Sequence, residues 1–163
     1  MRNILETIYL TKEGLAKLEA ELREFENVKM KEASDALEDA RKHGDLSENA
    51  EYDAARDNIH AVSLHIMTLK EKLARVQIID SSKIGNDCIR ILNKVLLRDL
   101  DKKTEFEYIL VSPEEMDLNI GKISVNSPVG KALIGKKVGE TVKFTVPAGP
   151  KKWKVLRIDP PQV

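Results

Sequence analysis

The stretch IHAVSLHIMTLKEKLARV, Ile59 to Val76, decides the architecture of the first half of the chain. Its apolar residues Ile59, Val62, Ile66, Leu69, Leu73 and Val76 recur at spacings of 3, 4, 3, 4 and 3. A repeat averaging 3.5 residues keeps one stripe of a helix against a partner helix along its whole length. A partner stands upstream, where Leu15, Leu18, Leu22 and Phe25 recur at 3, 4 and 3. Thr11 is placed to cap that helix, because its hydroxyl can accept a backbone N–H of the first turn, and Glu13 suits the positive helix end. The two segments are predicted to fold back on each other as an antiparallel hairpin.

The turn of the hairpin falls within Ala40 to Tyr52. Gly44 can take the left-handed conformation that ends a helix, and Asp45 or Ser47 can cap the next one, with Asp45 and Glu48 approximating a capping box. Around the turn the seam thins to Ala33, Ala36, Ala40, Ala50, Ala54 and Ala55, which lets the helices approach closely. Glu13 to His43 is 31 residues, an arm of about 45 Å at roughly 1.5 Å per residue. A solitary hairpin this long and polar buries little surface, so it is expected to project into solvent or into another molecule's cavity.

Beyond residue 79 the composition changes. Residues 1–79 hold 12 Lys or Arg against 16 Asp or Glu, a net of −4, with two glycines and no proline. Residues 80–163 hold 15 against 11, a net of +4, with all six prolines and six of the eight glycines. This places a domain boundary near Asp80-Ser81-Ser82, with an arm over 1–79 and a globular domain over 80–163. In the second part, Ile89–Leu97, Glu105–Val111, Lys143–Val146 and Trp153–Ile158 read as strands, with Asp101-Lys102-Lys103 as a hairpin turn between the first two. Ser127-Pro128 through Gly135 reads as one short capped helix, and Val138 to Thr141 as a turn into a strand. The fold class is α+β: a long antiparallel coiled-coil hairpin followed by a β-rich domain with one short helix.

Several function classes are excluded at this level. No run of about 18 apolar residues occurs, so no membrane-spanning helix is expected. The single cysteine, Cys88, cannot build a disulfide framework or a zinc site of several thiolates, and reads as a strand residue. The opening MRNILETIYL lacks an apolar core followed by a small-residue cleavage site, which points to a reducing cytosol. No P-loop, G-x-G-x-x-G, H-E-x-x-H or nucleophile elbow is present. His43, His60 and His65 fall on helices without ligand spacing, and Trp153 reads as core.

What remains is the tip of the hairpin. Residues 35–57 carry eight acidic side chains against Arg41, Lys42 and Arg56, a net of −5 on a narrow end. A charged helical surface is ordinarily just solvated. Asp45 and Glu48, however, stand in the turn itself and can point outward together. Two carboxylates make a weak magnesium site alone, since that ion keeps most of its waters, but they can complete a site owned by a partner. The same acidity argues against the tip gripping a nucleic-acid backbone.

ARKHGDLSENAEYDAARD (Ala40 to Asp57) resembles the signature of Gre-type bacterial transcript cleavage factors. LTKEGLAKLEAEL (Leu10 to Leu22) is similar to that family's first helix, and ISVNSPVGKALIGKKVGETVKFTVPAG (Ile123 to Gly149) to its C-terminal signature. The chain departs from the pattern at Leu92-Asn93-Lys94, where the family usually has F-G-S or F-G-A. It departs slightly at Ser112 to Asp117, where the family usually has P-D-E-A-D. The resemblance implies an FKBP-like C-terminal domain docking near the mouth of the secondary channel of RNA polymerase through Asn126, Ser127 and Pro128. The coiled coil would enter the channel. Asp45 and Glu48 would then help hold a second Mg²⁺, shared with the polymerase active centre, where backtracked RNA is cut at its 3′ end. Gly44, Ser47, Asn49, Ala50, Glu51 and Tyr52 would support the tip. The chain would be a cytoplasmic monomer and an accessory factor rather than an enzyme. Two other classes are weighed. One is a Gre-like inhibitor that occupies the channel, which would carry a denser acidic tip than Asp45-Leu46-Ser47-Glu48-Asn49. The other is a chaperone-like prolyl isomerase, for which the second half has few aromatics to line a proline pocket.

Overall fold

Thr11 starts the first helix: its hydroxyl accepts the Gly14 N–H at 3.0 Å, and α1 runs Lys12–Glu24. The backbone then makes a π turn at Phe25–Lys29 and continues as α2, Met30–Lys42. The returning helix, α3, spans Ala50–Leu73. The computed structural model describes residues 7–43 and 49–161, in two compact units, Met1–Gln77 and Ile78–Val163.

The π turn has a cause in the sequence. A 3.5-residue repeat continued from Leu15, Leu18, Leu22 and Phe25 next reaches Lys29, Glu32, Ala36 and Asp39. The positions that turn inward are instead Met30, Ala33, Leu37 and Ala40, each one residue later. Ala33 and Ala40 are buried, whereas Glu32, Ala36 and Asp39 are exposed. A π turn absorbs one extra residue without breaking the helix, so both stretches of seam face α3. This corrects the expectation for Ala36. Ala50 and Ala54 are also exposed, because α3 turns Tyr52, Ala55, Ile59 and Val62 inward.

A second correction concerns Val76. The helix ends at Leu73, and Val76 belongs to β2 (Val76–Ile78), which pairs with β1 (Ile8–Leu10). The open end of the hairpin needs a seal that two helices cannot give. There Leu10, Leu18 and Leu69 are buried together, packed round by Ile8, Leu22, Leu73 and Val76, and the Ile8 N–H donates to the Arg75 carbonyl at 3.0 Å. Beside the seam, His65 Nε2 lies 2.8 Å from Glu21 and its ring 4.1 Å from Phe25, while Lys70 lies 2.6 Å from Glu26. Such exposed pairs contribute little, at most about 1 kcal/mol each.

In the second unit the strands are β3 (Lys94–Asp99), β4 (Glu105–Val111), β5 (Lys122–Ser124), β6 (Thr141–Val146) and β7 (Gly149–Asp159). They form one sheet in the order β5-β4-β3-β7-β6, antiparallel except for the β4–β5 pair. Helix α4 is Pro128–Leu133. Inward residues Val95, Leu97, Leu110, Val142 and Val155 pack with Leu133 of α4 in a common core. Trp153 lies in that core with Phe106, Tyr108 and Phe144 against it, and its indole N–H donates to Asp99 Oδ2 at 3.2 Å.

The predicted strand Ile89–Leu97 begins only at Lys94. Leu92 adopts a φ of 69°, a left-handed turn that costs a branched residue about 1 kcal/mol and that glycine would take freely. This is the step at which the chain departs from the Gre pattern. Buried Asn93 fixes the turn: Oδ1 accepts the Arg90 N–H at 2.7 Å, and Nδ2 donates to the carbonyls of Gly85 at 3.1 Å and Asp159 at 3.0 Å. The Asp101-Lys102-Lys103 turn forms as predicted, with Asp99 Oδ1 accepting the N–H groups of Asp101 and Lys102, both at 2.9 Å.

Two outcomes follow from this packing. Deleting Asn27 should convert the π turn to plain α-helix and leave the melting temperature unchanged or higher, whereas deleting Asp35 should lower it, because only the second deletion throws the two seams out of register; thermal circular dichroism of both variants decides this. The carboxyl of Asp99 is held below its usual range by the Lys102 N–H first, against the opposing effect of burial, with the Asp101 N–H and the Trp153 indole adding to it. A depressed folded pKa gives stability that is present above the unfolded value of 3.8 and is lost as pH falls through the folded one. The urea midpoint, followed by Trp153 fluorescence, should therefore drop less below pH 4 in Asp99→Asn than in the wild type; parallel curves would contradict this role.

Candidate functional site

The two flanks of the hairpin connection are tied together by one side chain. Asn49, not Asp45 or Ser47, caps α3: its Oδ1 accepts the N–H groups of Glu51 at 3.0 Å and Tyr52 at 3.2 Å. Its Nδ2 donates across to the carbonyl of Ala40 at 2.9 Å, a group that the end of α2 leaves without a full helical partner. One amide thus satisfies the start of one helix and the end of the other. Asn is among the best residues for the cap, and only its amide adds a donor for the far side.

The described parts of the tip are densely charged. Lys42 lies 3.0 Å from Glu38 and 3.6 Å from Asp39, and the hydrogen bond and charge of Glu38, then of Asp39, raise its pKa. His43 Nδ1 donates to the Asp39 carbonyl at 2.6 Å, and Arg56 pairs with Asp53 at 3.6 Å. The Arg41 guanidinium sits over the half-buried Tyr52 ring, 5.8 Å from its centre. Ala50 and Glu51 are exposed in the first turn of α3. Gly44, Asp45, Ser47 and Glu48 lie outside the described residues. Among the described residues no group of three or more His, Cys, Asp and Glu is arranged to hold a metal ion.

The second cluster is in the other unit. Ser127 caps α4, its Oγ accepting the Gly130 N–H at 3.0 Å and donating to the Ser124 carbonyl at 2.7 Å. Asn126 and Pro128 on either side are exposed, and the Asn126 N–H donates to Ser124 Oγ at 3.1 Å. Gly130 makes this corner possible, since a Cβ there would stand 2.1 Å from the Ser124 carbonyl oxygen. Beside the corner opens a cavity of about 640 Å³ whose lining includes Cys88, Ile91, Val125, Asn126, Lys131 and Ile134.

Asn126, Ser127 and Pro128, the residues that the resemblance names for docking, thus stand at one corner, with Asn126 and Pro128 exposed and Ser127 half-buried. The cross-connection from Asn49 to Ala40 and the Arg41–Tyr52 contact were missed. The first carried a signal, an Asn immediately before an alanine-rich helix start; the second carried none.

Two family models cover the chain in order: residues 8–78 match "Transcription elongation factor, N-terminal" of the GreA/GreB type, and residues 84–160 match "Transcription elongation factor, GreA/GreB, C-term". The chain is 50% identical over 152 residues to the transcription elongation factor GreA of Chlorobium phaeobacteroides, covering 93% of this chain and 96% of that one. It is 48% identical over 153 residues to GreA of Prosthecochloris aestuarii, again covering 93% and 96%. A solved structure described as the transcription factor Gfh1 is 27% identical, with 94% of this chain and 97% of that chain covered and a TM-score of 0.45. The two family models over residues 8–78 and 84–160 and the 50% identity over 93% of the chain to a GreA sequence show that the chain belongs to the GreA/GreB family of transcription elongation factors.

Proposed function

We propose that this protein is a transcript cleavage factor that binds bacterial RNA polymerase through the corner at Asn126, Ser127 and Pro128 and presents Asp45 and Glu48 to the polymerase active centre through the secondary channel. The reading is supported by identity of about half over 93% of the chain to GreA elongation factors. The observation that carries the mechanism is the Asn49 side chain, which holds the end of α2 to the start of α3. The two flanks of the connection bearing both acids are thereby tied together, at the end of an outgoing helical stretch of 31 residues and the start of a returning one of 24.

The chain's own contribution is oxygen ligands and their delivery. Magnesium takes about six oxygens and retains several waters, so two carboxylates suit a site completed by the polymerase and the RNA. When bound there, the ion would make a water easier to deprotonate and so favour attack on phosphorus. The acids need to stand at a thin end, because a wide one would not pass a channel. The buried alanines Ala33 and Ala40 suit this, letting α2 lie close to α3. The factor would act in the cytoplasm, as a monomer, on complexes whose RNA 3′ end has been extruded by backtracking.

The test adds the protein to a halted, backtracked polymerase complex with labelled RNA and Mg²⁺. Wild type should shorten the transcript, and Asp45→Ala or Glu48→Ala should slow cleavage by about 10²-fold or more while still competing with the wild type for the polymerase. Full cleavage by both variants would refute the assignment. Asn49→Ser keeps the acceptor of the cap and removes the donor to Ala40, so it should retain helix content and polymerase binding while lowering the maximal cleavage rate; an unchanged rate would remove the tie from the mechanism.

A further inference from the structure

The outer face of the five-stranded sheet is divided by charge. Toward β4 its acidic groups are engaged: Glu105 with Arg98, Glu107 with Lys94 at 2.6 Å and Arg157 at 3.1 Å, and Asp159 with Arg157 at 3.0 Å. Toward β6 the pattern reverses. The register sets Lys143 directly across from Lys152, and on the other side of β7 Lys154 faces Arg98. Val142, Phe144, Trp153 and Val155 take the inward positions, so Lys143, Lys152 and Lys154 stand on the outer face, all exposed. Among the described residues none of these three lysines enters an ion pair or a side-chain hydrogen bond.

Like charges directly across a ladder destabilise it. Protection of a sheet edge accounts for a lysine on β6, but not for two on β7, which is paired on both sides. Three uncompensated cations on one face fit an anionic partner, and the chain itself carries one. Residues 35–57 hold eight acidic side chains against three basic ones, and the net of −4 over residues 1–79 is matched by +4 over residues 80–163. Asp35, Asp53 and Asp57, on the flanks of the tip, are exposed, and Asp35 and Asp57 enter no ion pair among the described residues. The spacings agree as well. Lys152 and Lys154 are two residues apart on a strand, about 6.8 Å, and Asp53 and Asp57 are four apart on α3, about 6 Å.

We propose that the lysine face of one copy takes the acidic flank of the hairpin tip of a second copy, in a weak head-to-tail association held by charge. Lysine suits this contact, because its flexible stem lets a point charge follow a carboxylate without a preformed pocket. Exposed ion pairs contribute little singly and are screened by salt, so the copies separate on dilution and at high ionic strength. An apolar contact does not fit the same face, since β6 turns Thr141, Lys143 and Thr145 outward and keeps Val142 and Phe144 in the core.

Sedimentation equilibrium of the full-length chain tests this without polymerase, so its result is independent of the function proposed above, in which a single copy acts. At about 0.01 M salt, where charges act over ~30 Å, a dissociation constant of order 10⁻⁴ M at a protein concentration of about 10⁻⁴ M should raise the weight-average mass by roughly half above the monomer's 18.4 kDa. At about 1 M salt, where charges act over only ~3 Å, the mass should return to that of the monomer. At low salt the variant Lys143→Gln, Lys152→Gln, Lys154→Gln and the variant Asp35→Asn, Asp53→Asn, Asp57→Asn should each sediment as a monomer. An equimolar mixture of the two should exceed the monomer mass, because the first keeps an intact tip and the second an intact lysine face. Circular dichroism confirms that each variant is folded; if the lysine triple variant does not fold, Lys152→Gln with Lys154→Gln takes its place. The proposal is overturned if the wild type is a monomer at low salt, if its association persists at high salt, if either variant alone associates like the wild type, or if the mixture stays at the monomer mass.

Discussion

Two helices joined at one end and packed along one stripe stay paired over some thirty residues only if the stripe never drifts off the contact. That single constraint organises the arm. A stretch of seam that keeps the 3.5-residue rhythm is followed by one that is a residue late, and the π turn at Phe25–Lys29 takes up the difference. Because the seam is narrow, neither end can rely on it. The open end is sealed by the β1–β2 pair over Leu10, Leu18 and Leu69, and the closed end by the three hydrogen bonds of Asn49. Surface ion pairs such as Lys70–Glu26 are too exposed to substitute for these.

The second unit solves a different problem. A sheet with one buried face needs strict alternation, and β3, β6 and β7 supply it through Val95, Leu97, Val142, Phe144, Trp153 and Val155. Irregular backbone is then confined to corners where a specific polar group holds it: Asn93 under the Leu92 turn, Asp99 in the β3–β4 turn, Ser124 and Ser127 around the start of α4. The corner proposed for docking is consequently stiff, with Gly130 packed onto the Ser124 carbonyl where any side chain would collide. Binding through a preformed corner avoids the cost of ordering a loop on contact.

Much of this was legible in the residues. The seam of Ile59 to Leu73 and the alternation of the long strands are periodic signals, and the Ser127-Pro128 start and Thr11 cap have specific chemistry. The failures share a physical cause. Strands β1, β2 and β5 have three residues each, too few for a period to show. The skip at the π turn looks like a continuing alanine pattern until burial separates Ala36 from Ala33 and Ala40. Leu92 in a left-handed turn contradicts its own propensity and is imposed by the contacts of Asn93. At the tip Asp45 and Glu48 were singled out by position and resemblance and lie outside the described residues; the place of Asn49 before an alanine-rich helix start marks it as a cap, but not that its amide also reaches the Ala40 carbonyl nine residues back.

On the function proposed above, the length of the arm sets how far the tip carboxylates can be carried. The most direct measurement is of reach itself. Inserting one matched heptad into each of α2 and α3 keeps the seam in register and adds about 10 Å. The account predicts that this lengthened protein still competes for polymerase but no longer stimulates RNA cleavage in a backtracked complex. Cleavage at the wild-type rate by the longer arm would contradict it.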